Sequence, residues 1–575
     1  MNDRIKNTSL LMGLTMLVFT VAAFVVASLL FLVGVPITTA HLYIALAVTA
    51  VFIWFTAKSL FPEKYPVYFG ISFVASAALF IVFLLISGYF YDLSYDGQAY
   101  HQELILHLAN GWNPVYSKSL GELGDPYAIW NDHYARGDEI AAAVLYAVTG
   151  KIELSKVFNL ALILSSFFLA FAALTEIMPR KWGRTALLSL LVACNPVSIY
   201  QCLSFYVDGQ LSSLLICLVA LGVLLYLNAN NYLIAALSLC IILTVNNKFT
   251  AIGYAGVLCI GLLVALYFTQ KYDLLKKLVI TMAASAVIGT AIFGLNPYVT
   301  NTLKFGSPFY PLAGNNAKDV TAAFTPSSFL TMNRFDQAIH SYFAMTEPNS
   351  TNKDLTQLKA PFTFTPQELQ AFGTPDTAIG GFGPWFSGVL LLSLVILVMA
   401  FLFNIPRTFV AIGLLLILLI SAFINYAAWW ARYVPQLWMV PIIIALLGFS
   451  FKDRKVIRGL SWVMVAALFV NVSLVSVSYF NLQSQWNSNL KGQLKALKQA
   501  PQPVEAYFSY AFSNKNRLKE NGIAFKEVKD SPKGGSVMEL DHSGTMIRTQ
   551  GMAVGETNLA KPQGQDTAAS AAGKH

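Results

Sequence analysis

Runs of about 20 apolar residues recur along this 575-residue chain from end to end, each long enough to cross a bilayer. Only 12% of residues are charged, about half the share of a soluble globular chain, and 56% are hydrophobic. So little charge cannot wrap a water-soluble core of this size. The chain is therefore expected to be an all-α integral membrane protein, which excludes a secreted domain, a cytosolic enzyme and a disordered scaffold.

Thirteen spans are predicted, at 9–34, 40–60, 68–90, 154–177, 184–200, 209–228, 232–247, 250–269, 277–294, 383–404, 408–426, 434–451 and 459–479. The connections then alternate between two sides. Fifteen basic residues fall on the short connections of one side: Arg4, Lys6, Lys58, Lys64, Arg180, Lys181, Arg184, Lys271, Lys276, Lys277, Arg407, Lys452, Arg454, Lys455 and Arg458. The short connections of the other side hold only Lys248 and Arg432. The positive-inside rule thus puts the N-terminus in the cytoplasm and the C-terminus outside. Much of the net charge of +9 is a topology signal rather than a nucleic-acid footprint. The first apolar stretch, about 26 residues with no A-x-A site after it, is read as a retained span. The five cysteines lie in spans or at span ends without C-x-x-C spacing, so no metal site or disulfide framework is expected.

Three long segments, 91–153, 295–382 and 480–575, all fall on the outer side, and no Asp, Glu, Lys, Arg or His lies near the middle of any span. A proton- or ion-coupled carrier would be expected to hold one there. The chemistry is therefore expected at the outer membrane–water interface. In the first segment, Tyr100, Leu104 and Leu108 recur at helical spacing, and a second helix is predicted from about 137 to 149. The segment 295–382, rich in Thr, Ser, Asn and Pro, reads as a functional or mobile loop. Residues 480–550 combine a basic helical stretch, Lys491 to Lys498, with strand-like runs at 506–511 and 523–528, which predicts a small extracytoplasmic α/β element. The Gly-, Ala-, Thr- and Gln-rich residues 551–575 are expected to be disordered.

Polar residues cluster at three outer places. Just past the third span runs Tyr91-Asp92-Leu93-Ser94-Tyr95-Asp96-Gly97-Gln98-Ala99-Tyr100-His101. Asp96 could take a proton from an incoming hydroxyl, its pKa raised by apolar surroundings, or could cap the following helix while Asp92 stays solvated. Trp130-Asn131-Asp132-His133-Tyr134-Ala135-Arg136-Gly137-Asp138-Glu139 could line a polar site or form a capped, solvated loop. Asp208, Lys248 and Arg432 are lone polar groups at outer span ends. The two cations run against the local charge bias and could clamp a lipid phosphate or snorkel to headgroups. Phosphate loops, dinucleotide fingerprints, H-E-x-x-H and G-x-S-x-G are absent from the sequence.

Over roughly residues 68–450 these clusters resemble the GT-C superfamily of polytopic glycosyltransferases, which use polyprenyl-phosphate-linked sugars. Asp96-Gly97-Gln98-Ala99-Tyr100 fits the family's acidic residue followed by x-x-x-Tyr in the first large outer loop. Gly111-Trp112-Asn113-Pro114, Phe305-Gly306-Ser307-Pro308-Phe309-Tyr310-Pro311, Asn247-Lys248-Phe249-Thr250 and Ala431-Arg432-Tyr433 look like loop motifs of bacterial members. Two departures stand out. The acidic loop follows the third span rather than the first, so residues 1–67 read as added spans before a catalytic module at 68–479. Asp96-Gly97 also replaces the commoner Asp-Glu pair, which puts metal dependence in doubt; no cofactor is predicted.

The resemblance implies a multi-pass enzyme of the bacterial cytoplasmic membrane with Asp96 as general base. Lys248, Arg432, Arg136 and Lys304 would hold the donor phosphate. Asp92, Tyr100, His101, Asp132, His133, Tyr134, Asp208 and Tyr310 complete the candidate substrate site. The acceptor would be a protein Ser or Thr, as on a pilin, a polysaccharide or a lipid-linked glycan. A polysaccharide polymerase or ligase and a lipid-linked-sugar flippase are the alternative functions.

Overall fold

In the computed structural model, residues 2–314, 317–322, 324–346, 356–532 and 536–549 are described. Residues 551–575, the expected disordered tail, lie outside them. Among the described residues, ten helices are long and apolar enough to cross a membrane. Such segments fold as helices because hydrocarbon offers backbone N–H and C=O groups no partner but each other. Shorter apolar helices, Trp182–Ala193, Asn231–Asn247 and Pro435–Ser450, occupy the other three predicted stretches.

Two spans depart from their predicted extents. The stretch 184–200 is broken, because its helix ends at Ala193 before Asn195-Pro196. The residue before a proline is pushed out of the α region, and Asn195 instead caps a new helix, Pro196–Gln201, by accepting from the Val197 N–H at 2.9 Å. The last span does not stop at 479. One helix runs Lys455–Gln499, 45 residues, about 68 Å at 1.5 Å per residue and twice the thickness of a hydrocarbon core. The basic stretch 491–498 is therefore the far end of a membrane helix.

The first helix, Asn2–Leu32, lies in the middle of the bundle, with 83% of its apolar window buried against 11% for Tyr65–Tyr89. It packs along Val157–Ile177, where Ser165 Oγ donates to the Gly13 carbonyl at 2.8 Å and Lys6 pairs with Glu176 at 2.6 Å. A Cβ at Gly13 would stand 2.8 Å from Leu169 Cγ, so glycine permits the close approach.

The long connections gather at the end of the bundle where Tyr65–Tyr89 finishes and Asp208–Leu227 begins. The segment 295–382 is fastened there. Phe329, Ala378 and Ile379 pack with Trp429, Trp430 and Tyr433, and Tyr342 donates to the Ala428 carbonyl at 2.5 Å. Its amphipathic helix Arg334–Phe343 exposes Phe335 and Ile339 and stacks Phe335 on Phe423, at the end of a membrane helix.

The described residues end in a four-stranded sheet of β1 (Val504–Phe508), β2 (Phe525–Glu527), β3 (Ser536–Leu540) and β4 (Thr545–Thr549), ordered β2-β1-β4-β3. β1 pairs parallel with β2 and antiparallel with β4, which is antiparallel to β3. Val504, Ala506 and Phe508 alternate into a core with Leu490, Leu494 and Leu497 of the long helix and Leu93 of the first loop. Each such leucine contributes about 1.5–3 kcal/mol by its burial. The sheet is thereby anchored to the loop that carries Asp96.

Candidate functional site

Arg432 is the hub of the loop-bearing end. It lies in the one-turn helix Ala431–Tyr433, whose position is fixed from several sides. Tyr254 donates to the Tyr433 carbonyl at 2.5 Å, Asn425 donates to the Tyr254 hydroxyl at 2.6 Å, and the Trp430 indole donates to the Thr377 carbonyl at 3.0 Å. Three aromatic rings, Tyr206, Trp430 and Tyr433, lie 5.0–5.3 Å from its guanidinium carbon.

Three carboxylates from three distant parts of the chain meet this guanidinium. Nη1 hydrogen-bonds Asp376, Nε faces Asp208 Oδ2 at 3.3 Å without the alignment of a hydrogen bond, and Nη2 stands 3.6 Å from Asp96 Oδ2. Lys248 pairs with the other oxygen of Asp208 and lies 4.3 Å from the Tyr433 ring centre. Three acids against two bases leave one negative charge in excess. The cluster is also graded in exposure. The Asp208 side chain is 2% exposed, those of Asp96 and Asp376 about 20% (21% and 20%).

Local breaks in the helices build this geometry. The Asn195-Pro196 turn brings Gln201 to Asp208, to which it donates at 3.3 Å while accepting from the Gly209 N–H at 2.8 Å. Lys248 is the extended residue between Asn231–Asn247 and Phe249–Phe268. Asn246 holds that break by donating to the carbonyls of Ile242 and Gly289 at 2.9 and 2.8 Å.

Asp96 makes no side-chain cap to the helix that follows it, so its carboxylate is left for the site. The turn beneath it is crowded. A Cβ at Gly97 would collide with the Asp92 carboxylate and lie 2.5 Å from Ser94 Oγ, which explains why no second acid stands at 97. The helix predicted through Tyr100 begins as a π turn, Gly97–His101, before Gln102–Ala109. Burial first, then the Asp96 carboxylate, push the Tyr100 phenol well above its usual pKa; burial, Tyr433 and Asp96 do the same to Tyr134. Both phenols remain protonated donors beside Asp96.

Asp376 was not singled out from the sequence. It lies in Gly373-Thr374-Pro375-Asp376-Thr377, an ordinary turn composition, and only folding of the loop brings it to Arg432. Tyr206 donates to its Oδ2 at 2.7 Å, and burial outweighs Arg432 to push its carboxyl up to about 6.

The remaining candidates do other work. Asp92 is buried, not solvated, and its oxygens accept from the N–H groups of Ser94 (2.9 Å) and Phe205 (2.8 Å). Asp132 accepts from Ser119 Oγ at 2.5 Å and the Leu120 N–H at 3.0 Å, which closes the loop between them. Arg136 is buried, donates to the carbonyls of Asp132 (2.7 Å) and Tyr134 (3.3 Å), and lies over Trp112. His101 pairs with Glu139 at 2.6 Å. His133 joins Asn301 at 2.9 Å and meets the rings of Phe305 and Tyr310 edge-on, while Lys304 is exposed nearby. Of the predicted set, Asp96, Asp208, Lys248 and Arg432 form one ionic cluster, with Tyr100 and Tyr134 beside it.

Among the described residues no group of three or more His, Cys, Asp or Glu side chains is disposed to hold a metal. Ten membrane-length helices among the described residues, carrying a half-open ionic cluster at one end, define a multi-pass membrane protein. No protein-family model matches the chain, and neither a curated protein nor a solved structure matches it.

Proposed function

We propose that this chain is a GT-C-type glycosyltransferase of the bacterial cytoplasmic membrane. It would move a sugar from a polyprenyl-phosphate donor to a hydroxyl on an extracytoplasmic acceptor, its N-terminus in the cytoplasm. The observation that carries the proposal is the meeting of Asp96 with Arg432, which shares Asp208 with Lys248, at the ends of membrane helices, where a lipid headgroup and a water-borne acceptor can both arrive.

The Asp96 carboxylate takes the acceptor's proton as that oxygen attacks the anomeric carbon. The bond from this carbon to the phosphate oxygen breaks, and its electron pair leaves with the lipid phosphate. Attack opposite the leaving group inverts the anomeric centre. A phosphate is a weak base, so no second carboxylic acid is needed to protonate it, unlike the acid of a glycosidase pair. Arg432 and Lys248 stabilise the departing charge. Arg432 Nη2 has its longest ionic contact with Asp96, at 3.6 Å, so a phosphate that inserts there gains the guanidinium and releases the base in one movement.

The test is transfer from a panel of labelled polyprenyl-phosphate sugars by purified protein, with acceptors and water, comparing wild type with Asp96→Asn. Transfer or slow hydrolysis that is lost in a folded Asp96→Asn protein is the expected result. Retained turnover in the variant would remove Asp96 as the base. A processive polymer product would make the protein a polymerase. Binding of lipid-linked sugar without its consumption would make it a carrier.

A further inference from the structure

Behind the ionic cluster is a second polar feature that the proposed transfer does not use. A small cavity lies where Gly137–Thr149 crosses the starts of two membrane helices, lined by Asp138, Glu139, Ser155, Lys156, Asn159 and Gln210 among others. It has room for a single water-sized occupant. Five of these side chains each carry a buried oxygen with no hydrogen-bond partner: Asp138 Oδ1, Glu139 Oε2, Ser155 Oγ, Asn159 Oδ1 and Gln210 Oε1.

The partners on the opposite atoms fix how these groups point. Asn247 donates to Asp138 Oδ2, and His101 holds Glu139 Oε1 at 2.6 Å. The Asn159 amide donates to the carbonyls of Gln201 (3.2 Å) and Ser204 (2.5 Å), which turns its own oxygen away from them. Asn159 is 3% exposed and Gln210 5%. With both carboxyls ionised, four of the five atoms can only accept. One water donates two hydrogen bonds, so a water would leave half of these acceptors unpaired.

Asp92, Asp138, Glu139 and Glu153 are buried here, and the nearby bases are Lys156, Arg517, His101 and Arg136, the last of which acts on Glu139. Lys156 is turned to Glu153 and the Phe90 carbonyl, and Arg517 to Glu153 at 2.8 Å. His101 pairs with Glu139, and none of these bases pairs with Asp138, whose hydrogen-bond partner is the neutral Asn247. A buried charge of this kind requires a partner.

We propose that this cavity is a binding site for one desolvated monovalent cation, Na+, held by the carboxylates of Asp138 and Glu139 and the amide oxygens of Asn159 and Gln210. Hard oxygen ligands suit such an ion. Mg2+ keeps several waters and needs more room, and the Lys156 ammonium beside the cavity opposes a second positive charge. Through Asn247, the residue before Lys248, the ion would brace the break that presents Lys248 to Asp208.

The site is tested on the full chain in detergent, without donor or acceptor, so its failure is separate from any failure of transferase activity. Radioactive 22Na+ binding is measured together with thermal midpoints in NaCl, KCl and choline chloride at one ionic strength. Wild type is expected to bind about one Na+ saturably and to melt about 3 °C or more higher in NaCl than in choline chloride. Asp138→Asn should lose both effects. Gln210→Leu, which removes an oxygen without changing charge, should weaken binding at least tenfold and still serves if Asp138→Asn fails to fold. Equal midpoints in all three salts with no saturable 22Na+ would overturn the proposal. So would a midpoint that responds to pH alone and is reproduced by Asp138→Asn, since the cavity would then hold a proton and a water.

Discussion

Two buried arginines lie at the same end of this bundle, each beside carboxylates, and they differ in how fully they are used. Arg517 fastens the C-terminal sheet. It donates from Nη1 to Asn514 Oδ1 (2.6 Å) and Gln98 Oε1 (3.3 Å), and from Nη2 to Glu153 (2.8 Å) and the Asp92 carbonyl (3.1 Å). Its side chain is 2% exposed, and Lys156 takes the other oxygen of Glu153. Arg432 faces three carboxylates, two of them only by loose contacts, in a cluster open to solvent on one side. A network sealed from water, with both terminal nitrogens of its arginine engaged by hydrogen bonds and only Nε unpaired, holds parts together. An unsaturated one with an open edge keeps contacts in reserve for a ligand.

The largest expected effect is on the open cluster. Asp96→Asn should lower sugar transfer by a factor of about 10² to 10⁴, the range for loss of a general base, while the thermal midpoint stays within about 2 °C of wild type. A comparable loss of fold would make Asp96 structural and erase the contrast. Arg432→Lys keeps the charge but loses the planar fork that meets three partners, so KM for the donor should rise about tenfold or more. An unchanged KM would mean the donor phosphate binds elsewhere.

The closed cluster should respond in the opposite sense. Arg517→Leu leaves Glu153 with Lys156 alone and is expected to cost about 3–5 kcal/mol, read as earlier thermal unfolding and faster proteolysis after residue 499. Donor binding by the protein that remains folded should be little changed. Gly97→Ala probes the seam between the clusters, because the added methyl meets the carboxylate of Asp92, which also caps Phe205. Overpacking there should cost about 1–3 kcal/mol and displace Asp96, lowering both stability and transfer. Loss of only one would separate the two regions completely.

Hydropathy made the membrane helices legible in the sequence, because spanning segments obey one strong rule of length and polarity. The same rule was blind to breaks that keep the composition apolar, such as the Asn195-Pro196 turn within 184–200. Lys248 and Arg432 stood out as cations on the wrong side of the bias, and Asp96 and Asp208 as acids at span ends. Asp376 carried no such mark, since an aspartate in a Thr- and Pro-rich loop is ordinary until tertiary structure packs Thr377 under Trp430. Asp92, Asp132 and Arg136 had the composition of a site, yet their atoms are spent on backbone groups. Sequence shows which polar residues are available, and only the hydrogen-bond pattern shows which are already occupied.

Asp376 supplies the finest test of the comparison, because it is the member of the open cluster whose charge can change near neutral pH. Its carboxyl is pushed up to about 6, burial outweighing the nearby Arg432. Above that pH it is ionised and competes with a donor phosphate for Nη1 of the guanidinium; below it, the proton removes one competitor. Donor binding should therefore tighten as pH falls toward about 6 and weaken by at most tenfold for each unit above it. Asp376→Asn should bind donor as tightly at pH 8 as wild type does at pH 6, with little remaining pH dependence in that interval. A wild-type affinity that is flat between pH 6 and 8 would mean the phosphate does not displace this carboxylate, and that Asp376, like Glu153 beside Arg517, is a fixed counter-charge.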